Sequence, residues 1–222
     1  MTVLLVLFTF GIFLLIDYFY SRKHVATQPA LRVVQQTAAR VAPSLVGGFS
    51  VPENLRYHPG HTWALGESPN LVRVGMDDFA SKLAGKFESI TLPQRGQWLR
   101  QGQKLCTLHR DGATVDMLSP IEGSVSDIND ALTANPELAS KDPYGDGWFI
   151  TVQSPDAKIN FRNLLNGSLA RWWTEESASR LHRKVPALVG ALAQDGGVAV
   201  DNVGAQIPDS DWTALTKEFF LS

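Results

Sequence analysis

"TLHRDGATVDMLSPIEGSV", Thr107–Val125, is the stretch that decides the fold. It holds two short alternating strands, one on each side of an Asp111-Gly112 pair. That dipeptide is a strong hairpin signal, because tight two-residue turns need positive φ and glycine adopts it without steric cost. Pro120 and Gly123 frame a second turn leading into "GSVSDI".

Outward from this hairpin the same pattern repeats. "TWALGE", "LVRVGM", "FESITLP", "QKLCTLH", "TVDMLSP", "GSVSDI" and "GWFITVQ" are short apolar alternations bounded by Gly and Pro, each predicting a strand. "MDDFASKLAG" is the helical exception, with Asp77 and Asp78 favouring the first turn and Gly85 ending it. "NDALTANPELASKDPYGDG" begins as a helical turn and becomes a turn-rich loop. Many short strands with few helices predict a small β-sandwich or barrel.

The ends differ. "TVLLVLFTFGIFLLIDYFY", Thr2–Tyr20, meets the ~20 apolar residues a spanning helix needs. Its aromatic end, Tyr18, Phe19 and Tyr20, precedes Arg22 and Lys23, the order of an uncleaved anchor rather than of a signal peptide. With Arg32, these cations predict an outside N-terminus and a cytoplasmic globular part, held at the inner membrane by a single pass. A tether follows, with a short helix opened by Pro29, carried by Leu31, Val34, Ala38 and Val41, and closed by Pro43 and Gly47-Gly48. After Ser154 the chain is helical in character. Leu164, Leu165, Leu169, Trp172 and Trp173 fall in rough helical register, interrupted by Gly167, and Asp209 or Ser210 is placed to cap a last helix.

Composition narrows the function. A 222-residue chain with 44% hydrophobic and 19% charged residues can bury a core, and a net charge of −2 offers no basic patch for nucleic acid. One cysteine, Cys106, excludes an internal disulfide and a cysteine-cluster metal site.

The segment from about Tyr57 to Val152 resembles the H protein of the glycine cleavage system, a lipoyl-domain relative. "YHPGHTW" is similar to that family's opening strand, "VGMDDFASKLAGKFESITLP" to its helix and next strand, and "RGQWLRQGQ" to the lead into its hairpin. In "SPIEGSVSDINDALTANPELASKDPYGDGW", Pro120, Gly123, Asn129, Leu132, Pro136 and Leu138 precede Asp142-Pro143-Tyr144-Gly145 and Gly147-Trp148 in the family's order. The resemblance implies a mainly β (α+β) barrel-sandwich hybrid. It also implies a lysine at a hairpin tip, eight residues before the proline within Glu-Ser-Val-Lys-Ala, carrying lipoate between partner enzymes. Here those five positions are His109, Arg110, Asp111, Gly112 and Ala113, so the lipoyl-lysine position is Gly112.

Other candidates carry less. Cys106, between Leu105 and Leu108, is expected to be a buried strand cysteine. His58 and His61 lack a third metal ligand, and the acidic neighbours the family places around that histidine are here Gly60 and Thr62. His109-Arg110-Asp111 alternates faces and cannot converge on one substrate. Asp195-Gly196-Gly197 is a turn rather than a phosphate loop. No concave catalytic site can be assembled, so the chain is not expected to be an enzyme.

The expected organisation is an anchor at 1–22, a tether at 23–54, an H-like domain at 55–160 and a helical extension at 161–222. The expected function is a membrane-anchored, non-lipoylated interaction or assembly subunit with no catalytic residue, cofactor or metal. Its partners are the bilayer and the subunits of a membrane-associated complex. Contact residues are expected at the hairpin tip, Arg110, Asp111, Gly112 and Ala113, and at Trp172 and Trp173. The alternative is a lipoyl or acyl carrier modified at Lys104 or Lys86.

Overall fold

The computed structural model describes residues 44–185 and 203–222. The Thr2–Tyr20 segment, the Pro29–Val41 helix and the Asp195–Gly197 turn lie outside them. Among the described residues no helix is long and apolar enough to cross a membrane.

Two antiparallel sheets make the body. The larger has six strands in the order β3-β4-β5-β11-β10-β7. These are β3 (Arg56–His58), β4 (Thr62–Ser68), β5 (Leu71–Met76), β7 (Trp98–Leu99), β10 (Gly123–Ile128) and β11 (Ile150–Gln153). The smaller runs β6 (Ser89–Thr91), β8 (Lys104–Arg110), β9 (Ala113–Leu118). Their period-2 alternation turns Ala64, Val72, Val74, Ile150 and Val152 inward from one sheet and Leu108, Val115 and Met117 from the other, into one buried cluster. Thr62 Oγ1 donates to the Leu118 carbonyl at 2.8 Å and ties β4 to the base of the β8–β9 hairpin. A bulge between Lys104 and Cys106 explains why Leu105 and Cys106 are both buried although they are neighbours.

Helix α1 (Asp78–Ala84) starts as its sequence demands. Asp77 accepts from the Ala80 amide at 2.7 Å, and Gly85 terminates it at φ 68°. Two short helices, α2 (Ala131–Ala134) and α3 (Leu138–Lys141), occupy the expected turn-rich loop.

The tether's end differs from expectation. Gly47 and Gly48 do not close a helix; with φ of 57° and 89° they turn a hairpin between β1 (Ser44–Val46) and β2 (Phe49–Val51). Phe49 enters the main core, and the Ser50 amide donates to Asp78 Oδ2 at 2.8 Å.

The C-terminal side also departs from its apolar pattern. After α4 (Ala157–Arg162), Leu165 leaves the expected helix and exchanges backbone hydrogen bonds with Tyr57 at 2.9 and 2.8 Å. Helix α5 (Gly167–Lys184) then buries Ala170, Thr174, Ser177, Ala178 and Leu181. Small residues win this face because the β1–β2 hairpin lies close: a Cβ on Gly47 would sit 2.8 Å from Ala178 Cβ. Finally, a 3-10 turn (Val203–Gln206) and α6 (Asp209–Phe220) drive Trp212, Leu215, Phe219 and Phe220 into the same core as the sheets. Helix α6 is N-capped by Pro208, so Asp209 is its first residue rather than its cap.

Candidate functional site

The β8–β9 hairpin pairs Arg110 with Ala113, which leaves Asp111 and Gly112 as a two-residue loop. Their φ values of 46° and 77° make it a type I′ turn, the form whose twist matches the strands. Both are exposed, and a Cβ on Gly112 would meet nothing within 4 Å. No amine stands at this turn.

Arg110 is not a solvated tip residue. It is only 9% exposed: Nη1 donates to the Gly204 carbonyl at 3.0 Å, and the guanidinium carbon lies 5.0 Å from the Trp212 ring centre. Trp212 is held in turn by its indole donating to the Leu83 carbonyl at 3.1 Å. Gly204 is needed here, because a Cβ would collide with that same carbonyl. The chain's own C-terminal segment thus covers one side of the hairpin, leaving Asp111, Gly112 and half-buried Ala113 available. His109 and Arg110 leave on opposite faces as alternation predicts. His109 Nε2 lies 2.8 Å from Thr91 Oγ1 and Arg110 is under Trp212, while the exposed Asp111 carboxylate lies 3.6 Å from Arg110 Nε.

Along the hairpin, Cys106 is fully buried, and burial pushes its thiol far above the ordinary range, so it stays protonated. Lys104 is 59% exposed at the opposite end of β8, its ammonium 2.9 Å from Asp116. Burial pulls the Asp116 carboxyl upward, but hydrogen bonds from Thr107 and Lys104 outweigh it and hold the group below its usual range. Lys86, the other alternative lysine, borders a 340 Å³ cavity shared with Phe87, Ser140 and Lys141. Its ammonium is 3.4 Å from Glu137, which Lys141 also reaches at 2.7 Å.

The histidines build structure of their own. His61, at φ 61°, is buried with Nδ1 2.8 Å from Asp77 Oδ2. Its ring stacks on Phe79 at 4.2 Å, and Trp173 closes the other side at 4.3 Å. Trp173 is therefore a cover for His61, while its neighbour Trp172 stands 63% exposed beside exposed Leu169. Adjacent helical residues point about 100° apart, so the expected pair splits between core and surface. Among the described residues no group of three or more His, Cys, Asp or Glu is placed to hold a metal.

Comparison with known proteins gives a consistent result. Residues 55–176, just over half the chain, match the family described as "Glycine cleavage H-protein". The chain is 34% identical over 108 residues to the glycine cleavage system H protein of Alteromonas mediterranea, covering 49% of this chain and 84% of that one. It is 32% identical over 128 residues to the H protein of Anaeromyxobacter sp. strain K, covering 58% and 98% respectively. The structure of an H protein from Mycobacterium marinum is similar at 24% identity, with a TM-score of 0.49, over 57% of this chain and 98% of that one.

Proposed function

Because the chain belongs to the glycine cleavage H-protein family, we propose that it is a member that carries no lipoate on its hairpin and works as an interaction or assembly subunit, held at a membrane by Thr2–Tyr20. The observation that carries this is the Asp111-Gly112 turn. A stable lipoyl amide needs a lysine amine, and this tip offers a carboxylate and a glycine. The anchored Arg110 holds the base of this turn in one shape, which suits a preorganised contact surface. Partner contact then falls to Asp111, Gly112, Ala113 and Trp172, with the globular part on the cytoplasmic side.

One observation favours the rival carrier: Lys104 is exposed. It lies six residues before Arg110, however, roughly 20 Å from the turn at 3.3 Å per residue. Intact-mass measurement of protein purified from its native membranes, with peptide mapping from Lys86 to Pro120, separates the two. The expected mass is unmodified, with Met1–Tyr20 attached. A lipoyl or acyl adduct on Lys104 or Lys86 would restore the carrier.

A further inference from the structure

Away from the hairpin turn, a cavity of about 200 Å³ opens between the edge strand β7 and helix α4. Two of the most exposed large apolar side chains, Trp98 at 52% and Ile159 at 58%, form its walls with Pro155. Strand alternation explains Trp98, since its neighbour Leu99 takes the inward position. Ile159 is outward because α4 buries Ala157 and Asn160.

Asn160 sets the rim. Its Oδ1 accepts from the Glu122 amide and its Nδ2 donates to the Asp156 carbonyl, both at 3.0 Å. Gln101 Nε2 donates to the Asn160 carbonyl, also at 3.0 Å. The backbones of Glu122 and Asp156 are thereby held at the mouth, and their side chains are exposed there. Among the described residues neither carboxylate has an ion pair or side-chain hydrogen bond, and the slot's lining, Trp98, Glu122, Pro155, Asp156, Ile159 and Asn160, contains no lysine or arginine. We propose that this slot receives an arginine side chain of a partner protein.

The chemistry is specific. A guanidinium stacks on an indole face and offers a planar fork of donors to carboxylates, which an ammonium does not. The volume falls below the ~300–1,000 Å³ of small-molecule sites, which suits one side chain rather than a cofactor. An exposed tryptophan in a preformed recess is also a recurrent anchor of protein interfaces. The proposal stands apart from the missing lysine and survives if the hairpin proves to be lipoylated.

The test is an NMR titration of the full-length protein in lipid nanodiscs, following the Trp98 indole and the Ile159 methyl groups. The probes are N-acetyl-arginine amide, N-acetyl-lysine amide and the neutral isostere N-acetyl-citrulline amide. Saturable shifts are expected with arginine, with citrulline roughly tenfold weaker because charge-assisted bonds exceed neutral ones. The Glu122→Gln/Asp156→Asn variant, its other signals unchanged, should bind arginine no better than citrulline. Equal shifts from citrulline or lysine, arginine binding that persists in the double variant, or no shift with arginine would each overturn the proposal.

Discussion

Replacing Arg110 by alanine tests whether the C-terminal segment is latched to the hairpin. Of the contacts Arg110 makes, two set the magnitude. The charge-assisted bond to the Gly204 carbonyl is worth about 1.5–3 kcal/mol, and a desolvated guanidinium over an indole about 1–2 kcal/mol. Part of the loss is recovered by relaxation and water entry, so the expected destabilisation is about 2–4 kcal/mol. Arg110→Lys keeps a charge over the Trp212 ring but loses the planar fork, and should lose about half as much. Urea unfolding gives the magnitude and hydrogen exchange gives the location. Amides of Trp212–Phe220 should exchange faster in the alanine variant, while those of β4 and β5, on the other sheet, change least. A loss below about 0.5 kcal/mol, the range of an ordinary surface substitution, with unchanged exchange in α6 would refute the latch.

Five other substitutions probe the same architecture. Trp172→Ala should stay within about 0.5 kcal/mol of the parent, whereas Trp173→Ala, which uncovers the buried His61 ring, should cost about 2–3 kcal/mol; thermal melts of the pair check this. Gly112→Asn should be nearly neutral, and Gly112→Val should lose about 1–2 kcal/mol, because open space does not relieve the cost of a left-handed backbone. Burial first, and the neighbouring His61 second, hold the His58 imidazole below its usual range, and its Nδ1 accepts from the Gly60 amide at 3.0 Å. A depressed folded value means that this stability is complete above the unfolded pKa of about 6.5 and is lost as pH falls through the folded one. His58→Asn, which can still accept from Gly60, should flatten that part of the acid limb in a pH series of melts.

Legibility followed the range of the physics. Asp111-Gly112 and the Asp77 cap are local devices whose geometry is fixed by a few neighbouring residues, so the hairpin and α1 fall where their sequences put them. Family order carried the same information across "NPELASKDPYGDGW". The long-range partners were hidden. Nothing within several residues of Arg110 announces Gly204 or Trp212, about a hundred positions away, and Leu169 and Trp172 look like a core stripe until Gly47 approaches the opposite, small-residue face. One signal was present and carried more than it showed: Gly47-Gly48, two consecutive glycines, can supply a type I′ turn as readily as they end a helix.

Arg110 joins these observations. In an alternating strand its side chain must leave on the face opposite His109, and that is the face where Trp212 and the Gly204 carbonyl lie. The clamp holds the last strand residue and leaves the two-residue loop exposed, with open space around Gly112, so it fixes the base of the turn rather than anything projecting from it. The same rigidity suits a surface that must keep one shape, because a preorganised contact loses less entropy on binding. The missing amine and the clamped arginine are independent features of the chain, one local and one contributed by the C-terminus. The missing amine argues against a lipoyl arm on this turn, and the clamp keeps the base of the turn in one shape for a partner to meet.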